Sequence, residues 1–180
     1  MYARTCVRAF LKHVIPTFTN SSFWHMIYGT HFLRCFMFFK NQTKPYAVAE
    51  IAGNANYPDV KGTVSFYDVY GGTFVVADIR NLADSESFHG FHIHDGNSCM
   101  PMQEGGHYNP TNQPHPMHAG DLPSILASGG IAFSAFYTNR FYPEDIVGKV
   151  VVIHANPDDF KSQPSGNPGV IVACGEIVER

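Results

Sequence analysis

Short apolar runs bounded by turn-forming residues dominate the sequence from residue 46 onward. The runs are rich in Val, Ile, Phe and Tyr, and clusters such as GNANYPD, YGG and LASGG separate them. They are YAVAEIAG, GTVSFYDV, TFVVADIRNL, GFHIH, GIAFSAFYT, GKVVVIHA and VIVACGEIV. No segment has the length and the period of about 3.6 residues expected of a helix, and no internal repeat is visible. The pattern predicts an all-β domain, either a sandwich or a barrel of antiparallel strands.

Residues 1–45 follow no clear helical or alternating period, so we place a domain boundary here and expect the β-domain over residues 46–180. Polar and charged residues interrupt every apolar window of about 20 residues, which argues against a membrane-spanning segment. An uninterrupted apolar region and a clear cleavage site, which a secretory signal needs, are both missing. Three interpretations stay open: an organelle transit or export segment, an accessory arm, or a translation start at Met37. The compartment, cytoplasmic or exported, depends on whether residues 1–36 exist.

The charge distribution changes at the same boundary. Residues 1–49 contain six Lys and Arg and no acid, so we interpret residues 1–45 as a basic N-terminal extension. From Glu50 onward there are 15 acids against six Lys and Arg, so this part carries about −9 (6 − 15). The whole chain has a net charge of −3 and no interleaved basic and aromatic residues in the domain. We therefore expect no nucleic-acid partner.

Two stretches, residues 95–130 and 156–169, are too long to be hairpin turns. Each follows a predicted strand that carries histidine. Long loops inside a small domain are usually functional or disordered, so these two are the first places to search for chemistry.

The run FHGFHIHDG places three histidines in an apolar stretch. Side chains alternate between faces along a strand, so His92 and His94 point the same way, while Phe91 and Ile93 point into the core. By the same parity His89 falls on the core face, unless a bulge at Gly90 interrupts the alternation. The pair His92 and His94 can offer two imidazoles to one metal ion, and we expect His89 to differ from them.

The first long stretch carries four further metal-binding side chains. They are His107, His115, His118 and Asp121. Three imidazoles and one carboxylate form a complete tetrahedral set for Zn²⁺ without an open position. Prolines and glycines make up much of this loop, so metal binding would supply the free energy that folds it.

One more histidine, His154, ends the apolar run KVVVIHA. Together with His92 and His94 it forms a site with nitrogen donors alone. Imidazole donors with a position open to solvent suit Cu(II) as well as Zn²⁺. The sequence therefore predicts two metal sites, one with nitrogen donors alone and one that includes a carboxylate.

These residues resemble the copper/zinc superoxide dismutase family over about residues 46–178. The segment HGFHIHD resembles the family's HGFHVHE, GGHYNP resembles GPHFNP, and HAGDL resembles HVGDL. The segments VVIHANPDD and SGNPGVIVACGEI resemble VVHEKADD and TGNAGSRLACGVI. The resemblance implies an eight-stranded antiparallel Greek-key β-barrel with two long functional loops.

The resemblance also implies a role for each matched residue. The implied copper ligands are His92, His94, His107 and His154. The implied zinc ligands are His107, His115, His118 and Asp121, so His107 is shared and is also the catalytic residue. Asp158 matches a carboxylate that hydrogen-bonds one ligand of each metal. Cys99 and Cys174 match the family's intrachain disulfide; two buried thiols are the alternative in a reducing compartment.

The implied activity is dismutation of superoxide to oxygen and hydrogen peroxide, with copper and zinc as cofactors. Family members are often dimers, which leaves a homodimer open. One position departs from the family, because Ile171 stands where the family has an arginine that attracts the anionic substrate. Arg140 and Lys149 are candidate substitutes for it. A dismutase-like metal-binding or structural protein with little activity is therefore the alternative function.

Overall fold

The computed structural model describes residues 44–82 and 86–180. The predictions about Met37 and about residues 1–43 lie outside these described residues. The domain boundary near residue 45 stays a prediction. Among the described residues, no helix combines the length and the apolar character needed to cross a membrane.

Antiparallel strands make up nearly all the regular structure of the described residues. The elements are β1 Ala47–Gly53, β2 Lys61–Val69, β3 Gly72–Arg80, β4 Ser87–His89, β5 Phe91–His94, β6 Ile125–Ser128, β7 Ile131–Thr138, α1 Pro143–Ile146, β8 Val150–His154 and β9 Ile171–Glu179. They form one sheet in the order β4-β6-β7-β3-β2-β1-β9-β8-β5. Because Gly90 alone separates β4 from β5 in sequence, the two ends of the sheet come together. The result is a nearly closed barrel with Greek-key crossovers, which confirms the predicted all-β fold.

The strand count differs from the eight implied by the resemblance, because the FHGFHIH run divides at Gly90. β4 pairs with β6, whereas β5 pairs with β8 on the other side of the barrel. Gly90 donates its N–H to Asn156 O at 2.8 Å and accepts from His154 N–H at 2.9 Å. A Cβ atom at this position would lie 2.7 Å from Pro168 Cβ, so the close approach requires glycine.

The first long stretch is also shorter than predicted. Residues 125–128 form β6, whose side chains alternate between buried and exposed positions, so the irregular segment ends at residue 124. A four-residue strand carries too little pattern to stand out in a sequence.

The barrel core and the site lie on opposite faces of β5. Phe91 and Ile93 are fully buried in the apolar core, as parity predicts. His92 and His94 point outward, yet they are 0% and 6% exposed because the two long loops cover this face. The strand is therefore buried on both sides, by apolar packing on one and by loops on the other.

A disulfide joins Cys99, in the first long loop, to Cys174 in β9. The bond lies in a small apolar cluster with Val150 and Val152, against which Ile171 also packs. The pairing implied by the resemblance is confirmed. The bond attaches the loop that precedes His107 to the last strand of the barrel.

We expect loss of this disulfide to lower the thermal stability of the protein. The bond links residues 75 positions apart, and closing such a loop stabilises a protein by about 4 kcal/mol in the chain-entropy model. Thermal unfolding of the protein with and without a thiol reductant, and of the double variant Cys99→Ser/Cys174→Ser, measures the effect. Equal melting temperatures for the oxidised, reduced and double-variant proteins would contradict this expectation.

Candidate metal centre

The outward face of β5 and β8 brings three histidines together. His92 pairs directly with Val152 in the ladder, so side chains at Val152 and at His154, two residues on, share the face of His92. The ring centroids of His92 and His154 lie 5.1 Å apart, and those of His94 and His154 lie 5.8 Å apart. Strand pairing alone therefore assembles three imidazoles.

Backbone hydrogen bonds hold the first long loop along the remaining edge of β5. Tyr108 N–H donates to Ile93 O at 2.8 Å, and Ile93 N–H donates to Gly120 O at 2.9 Å. A Cβ atom on Gly120 would lie 2.2 Å from Ile93 O, so only glycine allows this contact. Isolated bridge pairs consequently set His107 opposite His94 and Asp121 opposite His92.

The first cluster of possible ligands contains four imidazoles, each offering one atom, and these atoms lie within 4.8 Å of one another. Its members are His92, His94, His107 and His154. Four buried ring nitrogens have no hydrogen-bond partner among the described residues: His92 Nδ1, His94 Nε2, His107 Nε2 and His154 Nε2. Leaving such groups unpaired costs free energy, and coordination of a cation would remove that cost.

The opposite nitrogen of each strand histidine is held by an acceptor. His94 Nδ1 donates to Gly105 O at 2.9 Å, and His154 Nδ1 donates to Gly169 O at 2.9 Å. His92 Nε2 contacts Asp158 Oδ2 at 2.7 Å. A neutral ring that donates from one nitrogen has a lone pair on the other, so these contacts turn the unpaired nitrogens into donors for a metal ion.

The second cluster combines three imidazoles with a carboxylate, again with ligand atoms within 4.8 Å of one another. Its members are His107, His115, His118 and Asp121. Asp121 Oδ1 lies 2.6 Å from His107 Nδ1, and the Nδ1 atoms of His107 and His118 face each other at 3.4 Å. His115 Nδ1 lies 3.1 Å from Asp121 Oδ2 without hydrogen-bond alignment. Donor atoms of both kinds thus converge on one point.

Asp158 connects the two clusters. One carboxylate oxygen contacts His92 Nε2 at 2.7 Å, and the other contacts His115 Nε2 at 2.9 Å. Phe160 N–H donates to Asp158 at 2.6 Å and helps to fix its orientation. Gly166, with φ of +75°, leaves room for the carboxylate, since a Cβ atom there would lie 1.9 Å from Asp158 Oδ1.

His89 does not take part in either cluster. Its Nδ1 is 2.8 Å from His154 O and its Nε2 is 2.9 Å from Ser87 Oγ. Both ring nitrogens therefore have partners, and the side chain is buried. This arrangement agrees with the expectation that His89 differs from His92 and His94.

The environment keeps the strand histidines neutral. Burial, together with the nearby His107 and His154, lowers the pKa of His92 to about 2. Burial is also the main cause of the pKa of about 3 for His94. For Asp121, burial alone would raise the pKa, but the hydrogen bond and charge of His107, followed by the other ring charges, lower it. The donors are thus held in the protonation states that bind metal ions.

A cavity of about 540 Å³ opens above the first cluster. Its lining consists of His94, Gly105, Gly106, His107, His118, His154, Pro164, Ser165, Asn167, Pro168 and Gly169, without Asp, Glu, Lys or Arg. Lys149 instead pairs with Asp95, and Arg140 donates to backbone carbonyls of the first loop. Neither cation lines the cavity among the described residues, and each already contacts other partners.

Sequence reasoning missed the residues that support the ligands through the backbone. The carbonyls of Gly105 and Gly169 orient His94 and His154. Because glycine has no side chain and these contacts use the backbone, the residue type does not indicate this role. Gln163 contacts the backbone of His115 from the second long loop. A contact between two loops has no signal in local sequence spacing.

The barrel and its two donor clusters define a class, β-barrel proteins with two adjacent metal sites. The model of the copper/zinc superoxide dismutase family matches residues 60–177. The chain is 38% identical over 152 residues to superoxide dismutase [Cu-Zn] 3 of Arabidopsis thaliana, covering 73% of this chain and 88% of that protein. It is 34% identical over 151 residues to superoxide dismutase [Cu-Zn] A of Xenopus laevis, covering 73% and 95%.

A third relative, superoxide dismutase [Cu-Zn] 2 of Aquifex aeolicus (strain VF5), is 31% identical over 139 residues, covering 66% of this chain and 80% of that protein. The chain belongs to the copper/zinc superoxide dismutase family. It is a superoxide dismutase-like enzyme with superoxide as substrate and copper and zinc as cofactors.

We expect the metal-free protein to lose stability as the pH falls below about 6.5, because His92 and His94 have depressed pKa values in the folded state. Below this pH the unfolded chain takes up protons that the folded protein excludes, so each such histidine costs up to about 1.4 kcal/mol per pH unit. Thermal unfolding of chelator-treated protein between about pH 7.5 and about pH 5.5 measures the slope.

The variant His94→Gln is the control for this slope. This variant lacks one of the two histidines whose pKa is lowered in the folded state. As the pH falls, its melting temperature should therefore decrease less steeply than that of the parent chain. A melting temperature of the parent that does not change over the same range would contradict the expectation.

Proposed function

We propose that this enzyme dismutes superoxide at a centre in which one histidine, His107, is shared between two metal ions. The proposed copper ligands are His92, His94, His107 and His154. The proposed zinc ligands are His107, His115, His118 and Asp121. The observation that carries the proposal is the set of four buried imidazole nitrogens that lack any partner among the described residues and lie around one point.

The donor types support the division between the two metals. Four imidazole nitrogens next to an open cavity suit Cu(II), with room for a substrate beside the ion. Three imidazoles and a carboxylate complete the tetrahedral set that zinc prefers in structural sites. Copper, when bound, supplies the one-electron redox chemistry that superoxide dismutation requires and that zinc lacks.

Two superoxide ions and two protons give one molecule of oxygen and one of hydrogen peroxide, so the protein must deliver protons. His107 is the residue we propose for this step. Its Nε2 is buried, lines the cavity side and has no partner among the described residues. Its Nδ1 is held by Asp121 at 2.6 Å, which fixes the ring. His107 would hold a proton at Nε2 only while copper is not bound to that nitrogen, and in that state it would transfer the proton to the departing peroxide; solvent would supply the second proton.

Asp158 acts as a positioning residue in this proposal. It contacts no substrate, but its two oxygens orient one proposed copper ligand and one proposed zinc ligand. Hydrogen bonds of this kind set the tautomer and the direction of a ligand ring, and their removal commonly weakens metal binding 10- to 100-fold, to order of magnitude.

We expect the uncharged lining of the cavity to affect the rate at which superoxide reaches the site, and not the chemical step that follows. Superoxide is an anion, and the chain from Glu50 onward carries about −9. With no cation among the lining residues, the cavity lacks the side-chain steering that can raise on-rates by about 10- to 1,000-fold. Bound metal ions would supply the positive charge next to the substrate.

Protein loaded with both copper and zinc should dismute superoxide, and protein loaded with zinc alone should not. The reason is that only copper supplies one-electron chemistry at the nitrogen-only site. Superoxide consumption, measured together with the metal content of each sample, tests the expectation. Activity of the doubly loaded protein no greater than that of free copper would contradict the proposed function.

Replacing Ile171 with arginine should increase the rate and change its response to salt. Ile171 pairs with His154 in the strand ladder, so a longer cationic side chain there reaches the cavity region. The rate of the parent enzyme should depend only weakly on ionic strength, because no charged side chain lines the cavity. The Ile171→Arg enzyme should be faster at low salt and slow down as salt is added.

Ile171→Met serves as the neutral control and should behave like the parent chain. An unchanged rate and an unchanged salt dependence in Ile171→Arg would show that the steering argument does not apply to this enzyme.

A further inference from the structure

Arg140, in the segment that follows β7, reaches the turn that carries two of the proposed zinc ligands. Its Nη1 donates to three backbone oxygens: Pro116 O at 3.2 Å, His118 O at 3.1 Å and Asp121 O at 3.2 Å. Two of these carbonyls belong to proposed ligands themselves. Arg140 N–H donates in turn to Thr138 Oγ1 at 3.2 Å, which anchors the residue at the end of the strand.

Three carbonyl oxygens aimed at one point need a strong donor between them. Their dipoles present negative ends to each other, and without a partner the turn would open to reach water. Arg140 makes no ion pair with a carboxylate among the described residues, so its charge serves these carbonyls. The planar guanidinium has several donors in a rigid fork, which suits several acceptors better than the single ammonium of lysine does.

Gln163 holds the same loop from the opposite side. Its Oε1 accepts from His115 N–H at 3.1 Å, and its Nε2 donates to His115 O at 2.7 Å. One amide group therefore satisfies both backbone groups of a third proposed zinc ligand. Between the two contacts the loop exposes Pro114 and Met117 and has few apolar residues of its own in the core.

We propose that Arg140 and Gln163 are positioning residues for the zinc half of the centre. Together they fix the backbone of His115, His118 and Asp121, so that the donor atoms are already close together before the ion binds. This inference rests on the proposed zinc ligand set. It assigns a function to Arg140 that differs from attraction of the substrate, since the residue does not line the cavity.

Zinc affinity tests the proposal directly. Chelator-treated full-length protein is titrated with Zn²⁺ in competition with a chromophoric chelator. The titration gives the dissociation constant for the first equivalent of zinc that the protein binds. Arg140→Leu and Gln163→Leu should each weaken zinc binding about 10-fold, the lower end of the range for groups that orient ligands. Arg140→Lys should recover part of the loss. Arg80→Leu is the matched control, because Arg80 lies at the end of β3 and, among the described residues, forms its ion pair with Asp78. The zinc affinity of Arg80→Leu should equal that of the parent.

Two further measurements separate positioning from general stability. Co²⁺ bound in place of zinc should give the absorption spectrum of a tetrahedral site in the parent chain. In Arg140→Leu the geometry of the site should be distorted, and the absorption bands should therefore be weaker. Zinc should also raise the melting temperature of Arg140→Leu and Gln163→Leu less than that of the parent chain. If Arg140 and Gln163 have a purely structural role, their leucine variants should lower the melting temperatures of the metal-free and zinc-loaded forms equally. The zinc affinity and the Co²⁺ spectrum would then be unchanged, and this result would overturn the proposal.

The failure of the two proposals can be told apart. If the parent chain does not bind one equivalent of zinc, or its Co²⁺ spectrum is not tetrahedral, the proposed ligand set is wrong. If the parent binds zinc as expected and both leucine variants bind it equally well, the ligand set stands and the positioning role of Arg140 and Gln163 is wrong. If Arg140→Leu does not fold, Arg140→Lys and Gln163→Leu carry the comparison.

Discussion

The open edge of β5 is the constraint on which the whole centre depends. A strand at the end of a sheet exposes backbone donors and acceptors that need partners. Here the first long loop supplies them, through Tyr108 and Gly120 on either side of Ile93. Because strand spacing fixes the distance between paired backbones, this contact also fixes how far the loop histidine His107 lies from His94, its partner in the bridge. The pairing of the first long loop with β5 therefore both covers the edge of the strand and brings the ligand side chains together.

The centre concentrates polar atoms that are buried without partners, which is an unfavourable arrangement for a metal-free protein. The surrounding structure resists collapse of this arrangement, since the second nitrogen of each strand histidine already has an acceptor. Rotating a ring to satisfy one nitrogen would release the other. The folded chain consequently stores binding free energy for cations, and metal binding and folding stability are coupled.

The sequence predicts the parts of this protein that follow from local periodicity. Parity along β5 places His92 and His94 on the face opposite Phe91 and Ile93, and the structure agrees. His89 lies in β4, beyond the division at Gly90, so the alternation along β5 does not extend to it. The all-β fold follows from the short apolar runs and the turns between them. The division of a strand at Gly90 does not, because it depends on the distant Pro168 filling the space that a side chain would need.

Contacts of side chains with the backbone of distant segments cannot be predicted from the sequence either. The resemblance makes Arg140 a candidate substitute for a cation near the substrate, yet in the structure it contacts carbonyls of the first loop. Its role depends on where three peptide groups meet in space, and no spacing of residue types encodes such a point. Ile171 could be identified only as a departure from a known pattern; its packing beside the disulfide became visible in the structure.

Asp158 gives the enzyme a property that neither cluster has alone. A single carboxylate holds His92 with one oxygen and His115 with the other, so a rotation that improves one contact strains the second. At the proposed sites, a shift of either ring on ion binding would therefore also move the carboxylate that holds the other ring, and thermodynamic linkage would make such an effect equal in both directions. A single acidic side chain thus joins one proposed copper ligand on β5 to one proposed zinc ligand in the first long loop.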